Sequence, residues 1–172
     1  MTATTEWKVY TGTNAGTENP TTGSASNLNF MSVDDYDDTG TDYQTNTILI
    51  PDSGSNYSYE RWFRIKFTGT FNSITNCRFF RSAGATLPTG VDLLAGSTET
   101  PATPVDTAST IATTTLSSWD ELTEAISIQP SAGISNDGDY SAYGVLQLKV
   151  DSTTTQTGDI GDQTITVVYD ES

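Results

Sequence analysis

The densest run of residues able to do chemistry is Asp34-Asp35-Tyr36-Asp37-Asp38-Thr39-Gly40-Thr41-Asp42. Calcium asks for closely spaced oxygen ligands and a glycine that permits a sharp bend, so Asp35, Asp37, Asp38 and Asp42 are the candidate ligands. The match to a known loop is incomplete. The twelfth position counted from Asp35 is Asn46, where an EF-hand supplies a bidentate Glu, and no helical pattern flanks the run. A solvated acidic loop explains it as well. Asp137 with Asp139, and Asp159 with Asp162, fit turns in which Asp accepts backbone hydrogen bonds and Gly takes positive φ. Asp120, Glu121 and Glu124 stand close in sequence, but nothing marks the apolar cleft that a glycosidase needs to raise one carboxyl's pKa. The chain has no His and a single Cys. Ser–His catalysis is therefore closed, the commonest zinc ligand is missing, and no internal disulfide can form. Cys77 sits in a strand-like run and reads as a small buried side chain. Gly12-Thr13-Asn14-Ala15-Gly16 is followed by neither Lys nor a helix and is no phosphate loop. The expectation is a protein that is not an enzyme and needs no cofactor, calcium being the one candidate.

The second constellation is basic. The 172 residues carry 22 acids against 7 bases, a formal charge of −15, with a pI of about 4.1. Such a chain repels nucleic-acid phosphates and anionic membranes, so neither is expected as a partner. Five of the seven bases nonetheless fall within residues 51–100: Arg61, Arg64, Lys66, Arg78 and Arg81. If 58–67 and 71–81 form a hairpin around Thr68-Gly69-Thr70, these bases share neighbouring strands with Trp62 on the outer face. Arg61, Trp62, Arg64, Lys66, Arg78 and Arg81 would then make a docking face. Cross-strand charge pairing, with Glu60 as one counterion, is the competing explanation. Trp7, Trp62, Trp119, Tyr57, Tyr59, Tyr140 and Tyr143 could stack on sugars, or pack in the core and at sheet ends.

Strands must position all of this. Arg61, Phe63, Ile65 and Phe67 alternate with Trp62, Arg64 and Lys66; Leu146, Leu148 and Val150 alternate with Gln147 and Lys149; Ile165, Val167 and Tyr169 alternate with Thr164, Thr166 and Val168. Shorter strand candidates are 7–10, 28–31, 47–50, 74–80, 91–94 and 126–129. Turn residues separate them, most clearly Asn136-Asp137-Gly138-Asp139. With 32 Thr and 18 Ser, the chain suits wet, half-buried sheets. The predicted fold is all-β, one antiparallel β-sandwich domain over 1–172, immunoglobulin-like or jelly-roll (β-tulip-like). At most one short helix is expected, near 118–125. The N-terminal residues are expected to be flexible, with a Thr-rich connection at about 96–115. No stretch reads as a secretory signal or a membrane span.

Three segments carry a resemblance: Trp7-Lys8-Val9-Tyr10-Thr11-Gly12, Asn56-Tyr57-Ser58-Tyr59-Glu60-Arg61-Trp62, and Gly158-Asp159-Ile160-Gly161 with Val168-Tyr169-Asp170-Glu171. In these, and in length and layout, the chain resembles small all-β virion proteins of tailed bacteriophages, of the capsid decoration or auxiliary type. The resemblance implies many copies per particle, assembly in the host cytoplasm, and the major capsid or another virion protein as partner. Homo-oligomers, trimers included, fit that role. An extracellular carbohydrate-binding or adhesin module, including a tail or fibre receptor-binding component, is the alternative.

Overall fold

The computed structural model describes residues 2–19, 28–37, 41–117, 124–154 and 157–172. Ten strands follow in order: β1 (Thr2–Thr11), β2 (Thr17–Asn19), β3 (Ser55–Tyr57), β4 (Arg61–Thr70), β5 (Ile74–Gly84), β6 (Val91–Thr98), β7 (Thr114–Thr115), β8 (Ile126–Ser127), β9 (Tyr143–Asp151) and β10 (Gln163–Glu171). All pairings are antiparallel. The larger sheet has the order β2-β1-β4-β9-β6-β7 with β3 also on β9, and the smaller has the order β10-β5-β8. The two sheets pack as a β-sandwich.

The alternation in β4 explains the sandwich. Phe63, Ile65 and Phe67 project from one face of the larger sheet into the main core, where Ile74, Cys77 and Phe79 of β5 meet them. The Phe63 and Phe79 rings make an edge-on contact at 5.1 Å. Gly144, beside Phe63 in the sheet, has no room for a side chain, because a Cβ there would lie 2.3 Å from the Phe63 ring. β4 and β5 therefore face each other across the core and do not pair side by side, which corrects the expected 58–67/71–81 hairpin. Both strands have an apolar face to bury, and opposite layers bury both at once.

The other face of the larger sheet is also covered. Tyr10, Trp62, Tyr143 and Val145 form a second cluster with Ala15 and Ala112. The cover comes from the 3₁₀ turn Thr13–Ala15 and from the segment between β6 and β7. The Thr-rich connection is thus a packed layer. Gln147 of β9, fully buried, holds it down: its Nε2 donates to the carbonyls of Ser58 (2.9 Å), Val105 (3.2 Å) and Thr107 (2.8 Å), and its Oε1 accepts from Ser109 N–H (3.0 Å). Gly96 permits the close approach, since a Cβ there would stand 1.9 Å from the Ile111 carbonyl oxygen.

Two further expectations meet the structure differently. The first five or so residues, expected to be flexible, extend the expected strand 7–10 into β1, which pairs with β4 from Thr2↔Thr70 to Tyr10↔Trp62. The apolar runs 28–31 and 47–50 are not strands. Phe30, Ile48 and Ile50 instead pack against Val91, Leu148 and Val150, closing one end of the molecule. Of the helix expected near 118–125, residues 118–123 lie outside the described residues.

Candidate functional site

The six residues of the expected docking face are dispersed. Trp62 is fully buried under the covering segment, and its indole N–H donates to Glu60 Oε2 at 2.9 Å. Glu60 is itself buried and serves the indole. Arg61 and Arg81 are buried as well, at 2% and 4% exposure. Arg81 lies on the inward side of β5 with Cys77 and Phe79, and donates to the carbonyls of Ala85 (2.8 Å) and Leu116 (3.4 Å). Arg78 points the other way from β5 and donates to the Asn76 carbonyl. Arg64 and Lys66 point outward from the larger sheet. Because β4 and β5 face each other, Arg78 and the Arg64–Lys66 pair lie on opposite surfaces. A shared basic face needed β4 and β5 as neighbours in one sheet, and they belong to different sheets.

Arg61 has a different task, at the acidic loop. Its Nη1 donates to the Asp35 carbonyl (2.7 Å) and its Nη2 to the Val33 carbonyl (3.2 Å). Burial lowers the guanidinium pKa, and the nearby charges of Asp34, Asp35 and Asp37 push it back up. Asp34 accepts the Gly12 N–H at 2.8 Å, and its pKa is raised, first by burial. Among the calcium candidates, Asp37 is fully buried and accepts from Asn29 Nδ2 (2.7 Å) and Asp42 N–H (3.1 Å). Asp35 turns to the Tyr36 N–H (2.8 Å). Asp38 lies outside the described residues. Among the described residues no three acidic, His or Cys side chains converge as metal ligands. A buried guanidinium supplies positive charge at this loop, the kind of charge that a cation would bring.

The structure does bring one surface group together. Residues 138–141 run alongside β4, with Lys66 bridged to Tyr140 and Ser141 N–H bonded to the Ile65 carbonyl. Arg64 Nε donates to the Ser141 carbonyl at 2.6 Å. Its guanidinium carbon stands 4.7 Å from the Tyr140 ring centre and 4.8 Å from that of Tyr143. Lys66 Nζ lies over Tyr140 at 5.7 Å. Behind them, Tyr10 donates its hydroxyl to Glu18 Oε2 at 2.7 Å. Arg64 forms one wall of an open cleft of about 380 Å³, shared with Glu99, Pro130, Ala132, Asp139 and Tyr140.

Both cleft carboxylates are fixed. Glu99, just past β6, accepts from Ser131 N–H (2.9 Å) and Ser131 Oγ (2.8 Å), and these bonds lower its pKa. Asp139 Oδ2 accepts from the N–H groups of Ser135 (2.9 Å) and Asn136 (2.8 Å); the Ser135 bond leads in lowering its pKa, and burial opposes it. The sequence marks Asp139 as turn chemistry, and this is what the Asn136–Asp139 turn does. Glu99 carries no sequence signal, because its partner lies 32 residues away. No family model matches the chain, and no curated protein or solved structure matches it.

Proposed function

We propose that this chain is a non-catalytic structural protein of a virion, a decoration protein present in many copies on the shell. The observation that carries the proposal is the disposition of charge on an all-β sandwich. Each of the seven bases is engaged within the molecule. Lys8 pairs with Glu6 at 3.1 Å and Lys149 with Asp92 at 3.0 Å. Arg61, Arg78 and Arg81 bond backbone carbonyls, and Arg64 and Lys66 lie against tyrosine rings. The acids outnumber the bases by fifteen, so the outward field is negative. Copies with such a field stay soluble and repel one another laterally while crowding on a particle.

The same field favours a partner whose surface is not itself acidic. An acidic sandwich docks on a basic or uncharged surface of a major capsid or other virion protein. Oligomerisation, for instance as trimers, lets weak contacts hold by avidity. The test is quantitative mass spectrometry of gradient-purified particles from a lysed culture of the organism that carries the gene. A copy number near one per shell subunit, or a simple fraction of it, is expected. Absence of the chain from the particles refutes the proposal. Release from particles as ionic strength rises is the accompanying sign of charge-guided docking.

A further inference from the structure

From the cleft beside Arg64 we infer that the protein has a second capacity, binding of a neutral saccharide. This goes beyond the structural role and stands apart from it. The Arg64 fork is pre-organised: Nε is tied to the Ser141 carbonyl and the guanidinium carbon lies within 5 Å of two tyrosine ring centres. Among the described residues its two terminal nitrogens bond nothing, and the side chain lines the cleft. The same cleft is lined by Glu99, held by the N–H and hydroxyl of Ser131, and by Asp139, held by the N–H groups of Ser135 and Asn136, each carboxylate with acceptor capacity left. Pro130, Ala132 and Ala142 give small apolar patches between these polar groups. Gly133 and Gly138 leave open space where side chains would stand.

A held donor fork and held acceptors lining one cleft, with apolar patches among them, suit a ring that carries hydroxyls and C–H faces. Hydroxyls use both kinds of partner, because each donates one hydrogen bond and accepts two. The balance of charge selects against an anion. Arg64 and the neighbouring Lys66 offset the carboxylates of Glu99 and Asp139, so the formal charges of these four groups sum to zero. A zwitterion is disfavoured because each carboxylate already shares its charge with two fixed donors. The volume lies in the range of small-ligand sites, about 300–1,000 Å³, and the open end lets an oligosaccharide continue outward.

The test is saturation-transfer NMR on the isolated full chain with cellobiose, lactose, maltose and chitobiose. Diglycine and sialyllactose serve as zwitterionic and anionic probes. Transfer to at least one neutral disaccharide is expected, with Kd below about 10 mM. Arg64→Met is expected to weaken binding at least about tenfold, the effect of losing charge-assisted hydrogen bonds. Ala132→Trp fills the cleft from an exposed position and is expected to abolish binding with the melting temperature unchanged. It keeps the test decisive even if Arg64→Met fails to fold. Three results overturn the inference: no transfer to any neutral disaccharide, binding untouched by Ala132→Trp, or transfer to diglycine or sialyllactose alone. None of them bears on the copy number in particles.

Discussion

Replacing Gln147 by Leu should peel the covering segment from the larger sheet. Leucine keeps the volume close and removes both polar atoms, so what is lost is the clamp. The amide has only two N–H groups for three carbonyls, hence at most about three full hydrogen bonds disappear, counting the one from Ser109 N–H. The Ser58 carbonyl is buried and remains without that donor, at a cost of about 1–3 kcal/mol. The Val105, Thr107 and Ser109 groups are only partly buried and can turn to water, so each contributes about 0.5–1 kcal/mol. With some apolar gain from leucine, the net loss is about 2–4 kcal/mol, a large share of a domain's usual 5–15 kcal/mol. Urea unfolding should show the midpoint fall by about 1–2 M at a slope near 2 kcal/mol/M. Amide exchange across residues 105–112 should quicken well before global unfolding. A loss under about 0.5 kcal/mol, with exchange of 105–112 unchanged, would refute the idea that Gln147 holds this layer.

Arg61→Ala should cost about 3–5 kcal/mol, because the acids around Arg61 lose a buried countercharge, while the wild-type melting temperature should be indifferent to calcium and chelator. A calcium-dependent melting temperature in the wild type would restore the acidic run as a metal site. Gly96→Ala should destabilise by about 2–4 kcal/mol in thermal unfolding, since its Cβ meets the Ile111 carbonyl at 1.9 Å; a neutral effect would mean that the covering segment moves freely. The Cys77 thiol, fully buried and pushed up to about 12, should not react with a disulfide reagent in the native state at pH 8 and should react once unfolded. Cys77, Tyr10 and Tyr169 all have raised pKa values, chiefly through burial, so their contribution is fully present below the unfolded values of 9.0 and 10.0. It fades as pH rises above them, and stability should therefore fall from about pH 9 upward in a pH-resolved melting series. A flat alkaline limb would count against burial of these groups.

The sequence by itself determined the class of fold and several of its strands. Alternation at Phe63-Ile65-Phe67 and along Gln163–Glu171 can be satisfied only by sheets with an apolar face, and turn residues at 136–139 mark where the chain reverses. It also determined the acidic field, because fifteen surplus acids cannot all be neutralised within the chain. The tertiary structure alone decided which strands are neighbours. Period-two alternation reads the same for two strands side by side and for two strands face to face, so Arg64 and Arg78 could share a surface or lie on opposite ones. It decided Trp62 as well. A residue on the outer face of a strand reads as exposed until another segment lies over it, and the segment that does so, 99–113, has only Val105 and Ile111 as large apolar side chains. That segment is anchored by the buried amide of Gln147 and by the space left at Gly96, contacts that bridge distant positions and leave no local pattern. The Arg64 cleft has the same character. Arg64, Glu99 and Asp139 become one group only because β4, the residue that follows β6 and the 130–142 segment line one cleft, and no spacing in the chain records that.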